Sequence, residues 1–140
     1  MEGIPVVASG FYYPCIACVP MGWSWAFWFI QGLHEQVLAD SSELSAEWCL
    51  RDGAPCPCLD SGHAAGLPYC DNLNVLGTDP VRVLAQRKAA QAAFEAHGLA
   101  MHEETNAEPE AVILGADLQG KKGRLTATSR RRTRLRLALL

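Results

Sequence analysis

Hydrophobic and polar positions change their spacing several times along this chain, and each change predicts an element. The sharpest case is Leu67 to Gly77, where the runs Leu67-Pro68-Tyr69-Cys70 and Leu73-Asn74-Val75-Leu76 flank Asp71-Asn72. Asp and Asn tolerate the left-handed dihedrals of a tight turn and are depleted within strands, whereas Tyr, Leu and Val suit a pleated, half-buried surface. The pattern predicts a β-hairpin with Asp71 and Asn72 at the bend. By itself this stretch reads either as an ordinary surface turn or as a rigid tip presenting a carboxylate to a hard divalent cation.

Upstream, Ile16 to Ile30 is almost continuously apolar. It is shorter than the roughly 20 residues a spanning helix needs and is interrupted by Pro20, Gly22 and Ser24, so it predicts a loop leading into a buried helix and no membrane partner. Gly22 removes a side chain where the chain must turn. Trp23 to Leu38 then reads as a helix that starts in the core, with Trp25, Trp28 and Phe29 buried, and ends in solvent around His34, Glu35 and Gln36. Before it, Phe11-Tyr12-Tyr13 reads as a short strand stopped at Pro14.

Residues 40–66 lose all periodicity: Asp40-Ser41-Ser42 is a candidate cap for a short helix through Trp48 and Leu50, and Gly, Pro and Cys follow. This predicts an exposed, inserted loop. From Asp79 the pattern is regular again, with Asp79 as N-cap, Pro80 in the first helical position and Gly98 as the stop, which predicts a helix over 80–97. Its apolar face is read as Val81, Leu84, Ala85, Ala92 and Ala96. Leu99–His102 and Ala111–Leu118 read as strands, Lys121-Lys122 as a glycine-bounded turn, Arg124–Thr128 as a partner strand, and Ser129 as the cap of a basic terminal helix. The class is α+β.

Composition adds two constraints. With 140 residues and 49% apolar side chains the chain can bury a core. Six cysteines without a secretory leader pattern ahead of them point to an intracellular, reducing compartment. Cys15-x-x-Cys18 has the spacing of a zinc knuckle or redox pair, but in so apolar a run it reads as buried thiols, and Cys56, Cys58 and His63 complete no regular ligand spacing, so zinc is not expected. The net charge of −3 hides a division: residues 1–120 carry all 15 acidic and four basic residues, and residues 121–140 carry the other eight basic ones and no acid. Only the C-terminal end suits a polyanion, with Arg130, Arg131, Arg132, Arg134 and Arg136 as candidate phosphate contacts.

Two stretches taken together resemble the reverse transcriptase palm. Pro20-Met21-Gly22 followed by Trp23-Ser24-Trp25, Ala26 and a closing Gln31 resembles that family's motif B, and Tyr69-Cys70-Asp71-Asn72 resembles its motif C, usually Tyr-x-Asp-Asp. Phe94 to Leu99 and Val112-Ile113-Leu114-Gly115 look like the later helix ending in Gly-Leu and the subsequent Leu-Gly strand. The resemblance implies a partial palm of a retrotransposon-like element over residues 1–120, with the 40–66 loop inserted and a basic hairpin and tail over 121–140. It implies an antiparallel sheet carrying a catalytic-type hairpin, packed by helices.

By the same resemblance Asp71 would be the catalytic and metal-binding carboxylate, with Mg²⁺ as cofactor. Met21, Gly22, Gln31, Tyr69 and Asn72 would line the nucleotide and template pocket, and RNA or DNA would be the partner. Nucleotidyl transfer in this family uses two cations bridged by three carboxylates. Motif A is expected to lie upstream of this chain, and the second motif C aspartate is Asn72, which brings an oxygen but no charge. The expectation is therefore a fragment inactive alone, whose missing palm and fingers segments sit on another chain. A non-catalytic interaction module using the arginine-rich end is the alternative.

Overall fold

The computed structural model describes residues 18–20, 22–40, 44–59, 62–102 and 105–138. In chain order these form α1 (Ala26–Asp40), a 3₁₀ turn (Ala46–Trp48), β1 (Ala65–Tyr69), β2 (Asn72–Leu76), α2 (Pro80–Ala96), β3 (Glu110–Ile113), β4 (Ala116–Gln119), a second 3₁₀ turn (Gly120–Lys122), β5 (Arg124–Ala127) and α3 (Ser129–Ala138). The class is α+β, with two small antiparallel sheets, β1-β2 and β3-β4-β5. The strand at 11–13, Cys15, Met21 and the cap at Ser41-Ser42 fall outside the described residues, while Cys18, read as a buried thiol, is exposed.

The core joins α1, the 44–49 segment and α2 through Val37, Leu38, Leu44, Cys49, Ala90 and Phe94, with Leu73, Val75, Ala93 and Met101 packed against them. Helix α2 has the ends its sequence specifies. The Asp79 carboxylate accepts from the Val81 N–H at 2.9 Å, Pro80 opens the helix, and Gly98 turns left-handed at φ +74°. Beyond the stop, Leu99 N–H reaches Phe94 C=O and Gly98 N–H reaches Glu95 C=O, each at 2.9 Å, which satisfies the last carbonyls.

The structure departs from the sequence expectations in the helices and the segments beside them. The aromatic start of α1 is in solvent: Trp25 is 58% exposed, Trp28 63% and Phe29 49%, while the helix buries Ala26, His34, Val37 and Leu38. Hydrophobicity placed the wrong half of the helix inside, because the rings of Trp23, Trp28 and Phe29 pack on one another (Trp23 on Phe29 at 5.5 Å, Trp28 on Phe29 at 4.9 Å). The segment read as an exposed insertion sends Leu44 and Cys49 fully into the core, and Leu50 N–H bonds Gly66 C=O at 2.7 Å. Helix α2 faces the core with Gln86, Ala90 and Phe94, four residues apart, and leaves Val81, Ala85, Ala92 and Ala96 exposed. Alanine all round the helix carried no face, so a polar residue and one ring decide it. Finally, Leu99–His102 is irregular; Met101 packs on the core without strand pairing.

The second sheet is built from local turns. Ile113 pairs with Ala116, leaving Leu114 (φ +48°) and Gly115 (φ +80°) as a two-residue hairpin loop with both dihedrals positive, the geometry that matches strand twist. The Leu-Gly pair expected inside a strand is thus a turn. A side chain at Gly115 would collide with the Arg131 guanidinium of α3, 2.5 Å from the Cβ position. Gly120 to Gly123 turns β4 into β5, and Thr128 C=O accepts the first helical bond of α3 from Arg132. Among the described residues from 105 to 138 none is buried.

Candidate functional site

The hairpin places Asp71 at its tip, as the turn chemistry predicts, but the bend differs by one residue. Tyr69 pairs with Asn72, so Cys70 and Asp71 form the loop and Asn72 begins β2. Cys70 takes φ +54°, a conformation that costs a side-chain-bearing residue strain.

What holds Cys70 there is α1. The Gln31 carboxamide oxygen accepts from Cys70 N–H at 2.8 Å, and its amide donates to Pro68 C=O at 3.1 Å and to Glu35 Oε1 at 2.8 Å. One turn on, His34 Nδ1 meets Cys70 C=O at 2.8 Å. A carbonyl only accepts, so Nδ1 carries the proton and the neutral tautomer is set. Both main-chain groups of the strained residue are therefore gripped by side chains three positions apart on one helix face. Phe27 extends that face, its ring edge-on to Tyr69 at 5.5 Å.

His34, expected in solvent, is 5% exposed, with its ring edge-on to Phe94 at 4.9 Å. Burial lowers its pKa below 6.5, and the Cys70 carbonyl, Glu35 and Asp71 offset only part of that. Its Nε2 is buried without a hydrogen-bond partner. Arg51 and Glu35 form an ion pair at 3.3 Å, which ties the segment after Cys49 to the same helix face. Nothing in the local sequence marks His34 as buried; its spacing from Phe27, Gln31 and Leu38, one helical face, is the only signal.

Asp71 itself is exposed, and one of its oxygens accepts from the Asn72 amide at 3.0 Å. Among the described residues no three His, Cys, Asp or Glu side chains gather around a metal position. Tyr69 is exposed beside the hairpin tip, and Gly22, at φ +91°, has open space where a side chain would be. An open groove of about 320 Å³ runs along α1 between Phe27, Trp28, Gln31, Gly32 and Glu35, next to the hairpin. The structure thus brings together Gln31, Tyr69, Asp71 and Asn72. Arg130, Arg131, Arg132, Arg134 and Arg136 lie on α3, all exposed. Among the described residues no helix is long and apolar enough to cross a membrane. Comparison of the whole chain with family models, with curated proteins and with solved structures finds no match.

Proposed function

We propose that this chain is a palm-like fragment of a retroelement reverse transcriptase, inactive in nucleotidyl transfer by itself, whose hairpin contributes one carboxylate to a site completed by another polypeptide. The observation that carries the reading is the Gln31 clasp: the glutamine that closes the motif B-like helix bonds the hairpin that bears the motif C-like Asp71. Two stretches that resemble one family in sequence are thus joined in space. Inactivity follows from charge, since the reaction gathers several negative groups around two cations and Asp71 is a single carboxylate.

A primed-template extension assay with Mg²⁺ or Mn²⁺ tests it in two arms. The chain alone is expected to incorporate no nucleotide. Mixed with a polypeptide carrying the fingers and upstream palm of a retroelement reverse transcriptase, it is expected to sediment as a complex. Incorporation by the chain alone that disappears in Asp71→Ala, or failure to associate, overturns the reading.

The exposed arginines of α3 favour a second role, phosphate contact without sequence preference. Eight cations limit the log-log salt slope to about −7 on a duplex. A variant with the five α3 arginines changed to glutamine should lose that binding; equal affinity for both proteins would refute it.

A further inference from the structure

A polar cleft of about 280 Å³ opens between the 3₁₀ turn Ala46–Trp48, His63 and the first turns of α2. We propose that this cleft binds a nucleoside monophosphate with a guanine-type base. Its volume is just below the range of small-molecule sites, roughly 300–1,000 Å³, and it is open to solvent on one side.

Three features of the lining select that chemistry. The Trp48 and His63 rings, both lining the cleft, are stacked at 4.0 Å and 20°, a flat aromatic pair on which a planar heterocycle can stack. Gln86 is 3% exposed, lines the cleft, and its side-chain oxygen has no hydrogen-bond partner. A buried acceptor without a partner keeps its full desolvation penalty, so a ligand N–H that reaches it recovers that cost on binding. Beside it the Glu47 carboxylate, accepting from Ser45 Oγ at 3.4 Å, is a second acceptor. Guanine offers a ring N–H and an exocyclic amino group side by side, the donor pair a carboxylate and an amide oxygen accept; adenine has no ring N–H on that edge. Arg82 supplies a guanidinium at the same cleft, the group suited to a phosphate.

The site does not depend on the palm reading, since none of its residues belongs to the hairpin or to α1. Isothermal titration of the full chain tests it with GMP, AMP, guanosine and inorganic phosphate. GMP is expected to bind one to one, AMP at least tenfold more weakly, and phosphate alone without measurable heat. Gln86→Leu should weaken GMP at least tenfold without lowering the melting temperature, because the oxygen it removes makes no bond in the free protein. Arg82→Ala should weaken GMP and leave guanosine unchanged. Should Gln86→Leu fold poorly, Glu47→Gln, at an exposed position, must produce the same loss of preference for GMP over AMP. No heat with millimolar GMP, equal affinity for GMP and AMP, or affinities untouched by these substitutions overturn the proposal.

Discussion

The hairpin body, residues 26–101, and the C-terminal unit, residues 110–138, are of the same α+β class but are held by different means. In the body, side chains distant in sequence meet: Gln31 and His34 grip Cys70, and Leu38 and Leu44 close on Phe94. In the C-terminal unit, each strand pairs with its neighbour through a short turn, and no described residue is buried. Turn chemistry alone specifies pairing, whereas burial specifies a three-dimensional arrangement.

Core truncation should expose this contrast most strongly. Leu38→Ala removes a side chain with no solvent exposure and is expected to destabilise the body by about 2–5 kcal/mol, against about 0.5 or less for Leu125→Ala, 67% exposed on β5. Urea denaturation compares them; similar losses would mean the second sheet packs a core of its own.

The clasp comes next. Gln31→Ala leaves Cys70 N–H without its partner and should cost about 1–3 kcal/mol. Amide exchange at Cys70 should accelerate, while that of Leu118, paired within the second sheet, should not change. Unchanged exchange at Cys70 would remove α1 as the support of the hairpin.

Acid titration gives a third test. The folded state holds His34 neutral with its pKa below 6.5, so as pH falls through 6.5 the unfolded chain takes up the proton first and the body loses stability. The loss continues until pH reaches the lowered folded value, and above 6.5 this contribution is fully present. His34→Gln should flatten the dependence in that window. A wild-type stability that rises on acidification there would contradict the buried, neutral ring.

The smallest effect belongs to the ion pair. Glu35→Gln keeps an acceptor for Gln31 but loses the Arg51 pairing, and is expected to cost under about 1 kcal/mol, less at high salt. A larger, salt-independent loss would place the pair among the core contacts.

Much of this arrangement was legible from residues. Asp79, Pro80 and Gly98 mark the ends of α2 within a residue, because caps and stops act locally. The hairpin was legible for the same reason, although its bend was misplaced. Propensity favours Asp-Asn there, and only the α1 side chains explain a cysteine at positive φ. The orientation of α1 was not legible: its inward face reads Ala26, Gln31, His34, Val37, Leu38, and two polar residues broke the apolar period that sequence reasoning follows. The site at Gln86 left no pattern either, since a buried glutamine amid alanines looks like a solvent-facing one.

The outward-turned start of α1 also governs how this protein emits light. Three of its four tryptophans, Trp23, Trp25 and Trp28, sit on that exposed stretch, and the fourth, Trp48, is stacked on His63 outside the Leu38–Phe94 core. Intrinsic fluorescence is therefore weighted toward water-contacting indoles in the native state. It should be red-shifted and readily quenched by acrylamide before any unfolding, and should change little as the core melts. Circular dichroism of the helices is the signal that would follow the loss of the body.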